Sequence, residues 1–136
     1  MSVQRRLANI AIPSEWVPGR DSFLRLDLDI QTRMYFERQI PYAEIAASVI
    51  IGMAQEAGEF LFIQDDRLEQ IHSAPVEVEN PNAETIITSR FIYGLRILIE
   101  MGFVFRDSDR KGIIARERLL DCIVVTGMRG SLIPSA

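Results

Sequence analysis

Residues 83–101 carry apolar side chains at so many successive positions that few arrangements remain open to the chain. Ile86, Ile87, Phe91, Ile92, Leu95, Ile97, Leu98, Ile99 and Met101 keep helical spacing but cover more than one face of the helix they predict. A helix apolar nearly all round has to lie centrally in a fold or be covered by a partner. Arg90 and Arg96 interrupt the window, so it does not read as a membrane span. Asn80-Pro81, or Asn82 with Glu84 soon after, supplies a start signal, and Gly102 supplies a stop.

The flanking sequence predicts what this helix packs against. Over residues 22–30, Leu24, Leu26, Leu28 and Ile30 alternate with Arg25, Asp27 and Asp29. That is the pattern of a strand with one face on a core and one in water, which favours an antiparallel or mixed sheet. Residues 41–57 predict a second long helix. Pro41 suits its first position, Tyr42, Ile45, Ala46, Val49 and Met53 form its apolar stripe, Glu44, Gln55 and Glu56 its polar positions, and Gly58 its end. A short strand is expected over 59–64, and an irregular stretch with room for a strand at 76–78 follows. Residues 103–106 and 113–115 flank a polar tip and predict a hairpin, and Ile123, Val124 and Val125 favour a last strand over 119–126. Residues 31–39 and 116–120 fit helix and strand equally.

These readings give an α+β domain over residues 22–126. Its sheet is mostly antiparallel, of about four to five strands, with two main helices packed on one face. Ile45, Val49, Met53, Phe91, Leu95, Leu98 and Phe103 are expected in the core. Residues 1–21, broken by Pro13, Pro18 and Gly19, read as an N-terminal arm, and residues 127–136 as a C-terminal tail.

The size, 136 residues, suits one domain, and 48% apolar with 25% charged residues excludes intrinsic disorder at a net charge of −4. Cys122 is the single cysteine, so no internal disulfide forms within one chain. That usage suits a reducing compartment. The apolar stretch after Arg5 and Arg6 stops at Pro13 and does not read as a leader, so a soluble protein of the cytoplasm, or of a particle assembled there, is expected. Charge is segregated along the chain. Residues 1–41 carry six basic and five acidic groups, residues 42–85 one and nine, and residues 86–136 eight and five. Such thirds form complementary patches that suit docking between chains.

Reactive groups are few. His72 is the single histidine and stands in an acidic, turn-rich stretch, away from any paired nucleophile. One histidine and one cysteine do not make a zinc site in a monomer. Cys122 sits among Leu119, Leu120 and Ile123, as a structural thiol does. Asp27 with Asp29 follows from strand alternation, and Asp107-Ser108-Asp109 lacks the later glycine and glutamate of a calcium loop. Neither a phosphate-cradling glycine loop nor a nucleophile elbow occurs. The expectation is a chain that is not an enzyme, with no catalytic, metal or cofactor residues and no small-molecule substrate.

Residues 84–101 and the hairpin 103–115 together resemble, in outline, a winged-helix DNA-binding domain: an amphipathic helix runs through Gly102 into a charged hairpin tip. The resemblance implies Arg90 and Arg96 on the helix, and Arg106, Arg110 and Lys111 on the wing, as contacts to nucleic acid. The acidic balance of the chain runs against a nucleic-acid footprint. The first expectation is therefore a non-enzymatic interaction or assembly subunit that self-associates into a homo-oligomer or larger assembly, as subunits of viral particles or secretion machines do. Trp16, Phe91, Leu95, Leu132 and Ile133 are its expected interface anchors. A winged-helix-like DNA-binding regulator is the alternative.

Overall fold

Gly94 faces the carbonyl of Tyr42 so closely that a Cβ there would overlap that oxygen and come within 2.6 Å of the carbonyl carbon. This contact joins the two long helices, α3 (Ile40–Ala57) and α4 (Pro81–Glu100), and it sets the rest of the architecture. The computed structural model describes residues 2–58, 62–67 and 81–125, the side chains of 81–89 excepted. Before α3 come α1 (Val3–Ala8), β1 (Leu24–Leu26) and α2 (Ile30–Tyr35); β2 (Phe62–Gln64) lies between the long helices; β3 (Val104–Asp107), β4 (Gly112–Ala115), α5 (Arg118–Asp121) and β5 (Ile123–Val125) follow. The strands are antiparallel, so the chain is an α+β fold, with its five described strands divided between a β1–β5 pair and a three-stranded sheet in the order β2-β4-β3.

The helix enclosed on all sides is α3, not α4. From Ala43 to Ala54 every residue of α3 is buried, because α4, β1 and α1 all pack against it. Its small residues Ala43, Ala46 and Ala47 allow that close approach. Pro41 occupies the first turn, and Gly58 ends the helix at φ 76°, the left-handed region where glycine alone is unstrained. On α4, Phe91, Leu95, Ile97 and Leu98 turn inward while Ile92, Tyr93, Arg96 and Ile99 stay exposed. All seven core residues expected from the sequence are buried.

Two elements depart from expectation. The strand expected over 22–30 stops at Leu26: Asp29 caps α2, its carboxylate accepting from the Thr32 backbone N–H at 2.8 Å and from the Thr32 hydroxyl at 2.9 Å. A side chain that satisfies free N–H groups of a helix start competes directly with strand extension. Residues 118–121 form a helical turn before β5, where a continuous strand over 119–126 was expected. Within the expected N-terminal arm, Val3, Leu7, Ile10, Ile12 and Trp16 pack on the core. Leu7 of α1 is buried in the core, and Gln55 of α3 donates to the carbonyls of Leu7 at 2.9 Å and Ile10 at 2.6 Å. The strand expected at 76–78, the tail over 127–136 and His72 lie outside the described residues.

Candidate interaction site

Helix α2 is held at both ends and bare in the middle. Asp29 fixes its start, and Thr32 lowers the Asp29 carboxyl below the usual carboxylate range through its backbone and hydroxyl hydrogen bonds. Arg33 Nη2 reaches the Leu26 carbonyl at 3.4 Å. Phe36, just past the C-terminus, is buried and meets Tyr35 edge to face at 4.8 Å. Between these anchors α2 buries none of its six residues. Ile30, Met34 and Tyr35 are 75%, 73% and 79% exposed, the three barest large apolar side chains among the described residues. Ile30 and Met34, at i and i+4, share one helix face, and Tyr35 lies one position further round the helix from Met34. Exposed Arg33, Glu37 and Arg38 flank them with charges of both signs.

Sequence reasoning placed Ile30 on the buried face of a strand and left residues 31–39 open. The signal that would have found the patch is Asp29-x-x-Thr32, a helix start that breaks the alternation.

The expected interface anchors fall elsewhere. Phe91 and Leu95 are buried in this chain's own core, at 1% and 8% exposure, because α3 covers that side of α4. Trp16 is half-buried on its own domain. Its ring meets Phe23 edge to face at 5.0 Å and lies against Gly52, and its indole N–H donates to the Asp21 carbonyl at 2.9 Å. Asp21 in turn accepts from Arg20 at 2.9 and 2.8 Å. A groove of about 600 Å³ runs past Ile12, Trp16, Pro18, Met53 and Arg67. Leu132 and Ile133 lie outside the described residues.

Of the expected nucleic-acid contacts, several are engaged within the chain. Arg106 makes two hydrogen bonds of 2.6 Å to Asp65, which raise the pKa of its guanidinium. The Arg110 guanidinium lies 4.0 Å over the Phe62 ring. Lys111 takes φ 55° in the turn, and the Asp107 carboxylate accepts from the Arg110 N–H at 3.2 Å. Arg90 is half-buried and Arg96 exposed. At the wing, the three cations Arg106, Arg110 and Lys111 stand with the four carboxylates Asp65, Asp66, Asp107 and Asp109, so the end carries no net positive charge.

Among the described residues no group of three or more His, Cys, Asp or Glu side chains is placed to hold a metal ion. Desolvation raises the pKa of the Cys122 thiol. No helix among the described residues is long and apolar enough to cross a membrane. Comparison with protein families, curated proteins and solved structures found no match.

Proposed function

We infer that this chain is a non-enzymatic interaction subunit that associates with a second copy of itself, and that α2 is the centre of the contact. The observation that carries this is the exposed apolar surface of Ile30, Met34 and Tyr35 on α2, a helix that buries none of its six residues. Three side chains of this size expose on the order of 400 Å², the scale of the largest patch on a typical monomer and often a functional one. Pairing two such surfaces about a two-fold axis removes roughly 800 Å², about two-thirds of the smallest stable interface, and the flanking residues supply the remainder. A two-fold contact is self-complementary. Glu37 of one copy then meets Arg33 or Arg38 of the other without like-charge conflict.

Photo-crosslinking tests the position of the contact. A photoreactive phenylalanine analogue at Tyr35 is expected to give a covalent dimer on irradiation, and the same analogue at exposed Arg25 is expected to give none. Equal yields at both positions, or none at either, would sink the reading.

The second reading is duplex DNA binding through α4 and the β3–β4 hairpin. What favours it is that the hairpin follows α4 directly and is braced by β2, the strand after α3, as a rigid wing requires. It predicts duplex affinity that falls steeply between 50 and 200 mM salt. It also predicts weakening by Arg110→Ala and Lys111→Ala. The self-association reading predicts neither. Fluorescence anisotropy with a labelled duplex separates the two.

A further inference from the structure

Helix α2 carries a methionine in the open. Met34 is 73% exposed, whereas Met53 and Met101 are 8% exposed and belong to the core. A thioether at the surface meets dissolved oxidants first. The other readily oxidised groups among the described residues are better shielded. Cys122 is half-buried, and desolvation raises its pKa, so little of the reactive thiolate forms near neutral pH. Trp16 is half-buried against Phe23 and Gly52. Met34 also stands where a change of polarity has a consequence. In sequence it lies between Ile30 and Tyr35, the two other bare apolar side chains of α2. Methionine is flexible and apolar and packs adaptably in a contact, whereas its sulfoxide is polar. Burying the sulfoxide oxygen without a donor weakens a contact by about tenfold. A two-fold contact holds that group twice, so the expected loss is about a hundredfold.

We propose that Met34 is an oxidation site through which a peroxide separates two associated copies, an inference that rests on α2 being the centre of the contact. The step consumes one peroxide per methionine. A sulfur lone pair attacks one peroxide oxygen, the S–O bond forms, the O–O bond breaks, and water leaves. Sulfur is oxidised by two electrons and the peroxide is reduced by two. The oxidant reaches the sulfur in the free copy, because the contact covers it in the pair. Oxidation of the free copy then draws the pair apart by mass action. A methionine sulfoxide reductase reverses the step: two electrons and two protons from thiols release the oxygen as water and restore the sulfur.

The test treats the full chain with dilute hydrogen peroxide. Peptide mass spectrometry follows each methionine, and light scattering across a concentration series reads the association. Met34 is expected to oxidise about tenfold faster than Met53 and Met101, in proportion to exposure. Its rate is expected to fall as protein concentration rises, which exposure alone does not produce. The dissociation constant is expected to rise about a hundredfold once Met34 is oxidised, and to return after the reductase acts. Met34→Leu removes this sulfur and keeps Met1 and Met128, which lie outside the described residues. Peroxide is expected to leave its dissociation constant equal to that of its own untreated sample. A Met34 rate that ignores concentration, an oxidised Met34 with unmoved association, or an equal loss in Met34→Leu would overturn the inference. An untreated chain that stays at single-copy mass would overturn the α2 contact and this inference together. Association that survives Met34 oxidation would overturn this inference alone.

Discussion

Gly94→Ala sets two effects of opposite sign against each other, and the structure decides which wins. Alanine gains about 1 kcal/mol over glycine in a helix interior. Here its Cβ would overlap the Tyr42 carbonyl oxygen, sit 2.6 Å from the carbonyl carbon and 3.1 Å from Ala46 Cβ. Ordinary contact needs about 3.5 Å or more between such atoms, so α3 and α4 have to separate by about 1 Å along their tightest contact. Two of the three neighbours are backbone atoms of a buried helix, which no rotamer change moves aside. Overpacking of this kind costs typically 1–3 kcal/mol and occasionally more. The upper part of that range applies, and after the propensity gain a net loss of about 2 kcal/mol remains. For a chain of this length that lowers Tm by roughly 6–8 °C. Thermal and urea unfolding followed by circular dichroism measure it. A Gly94→Ala protein as stable as the parent, or more stable, would refute the helix contact on which the fold description rests.

The remaining predictions concern single groups. Glu44→Ala is expected to destabilise by about 1–3 kcal/mol, because it removes the buried acceptor of the Leu26 N–H, while Glu44→Gln keeps an acceptor and loses less; urea midpoints distinguish them. Gly58→Ala is expected to cost about 1–2 kcal/mol through its left-handed backbone, with no steric contribution because nothing lies within 4 Å of the added atom. The Asp29 carboxyl has a lowered pKa in the folded chain, so its contribution to stability is present above the ordinary carboxylate range and is lost as pH falls through the folded value. Asp29→Ala should abolish that acid dependence, read from urea midpoints between neutral and acid pH. The raised pKa of Cys122 predicts slow reaction with a thiol reagent near neutral pH, with a rate that rises at a higher pH than for a free cysteine.

How far the fold was legible depends on whether the deciding signal was local. Pro41, the apolar stripe from Tyr42 to Met53 and Gly58 place the start, face and end of α3 in one short window. The β3–β4 hairpin was readable for the same reason. Where a local signal was read too simply, the element came out wrong: Asp29 and Thr32 together start a helix, although Asp29 alone continues an alternation. Glu44 shows the opposite case. Its sequence neighbours make it an ordinary polar position, whereas in the fold it is buried because the free edge of β1, 18 residues away in sequence, needs an acceptor. The enclosure of α3 in place of α4 likewise depends on small residues from two helices, Ala43, Ala46 and Gly94, that meet only after folding. For the candidate site, the apolar anchors expected from the sequence were real apolar residues, but Phe91 and Leu95 serve the core, and the bare surface lies on α2.

The most direct test of self-association is solution mass by light scattering across a protein concentration series, with the native chain and with Met34→Glu side by side. The native chain should rise from about the 15.5 kDa of one copy toward twice that mass, and Met34→Glu should stay at one copy throughout. A native chain that holds the single-copy mass at the highest concentration would contradict the account.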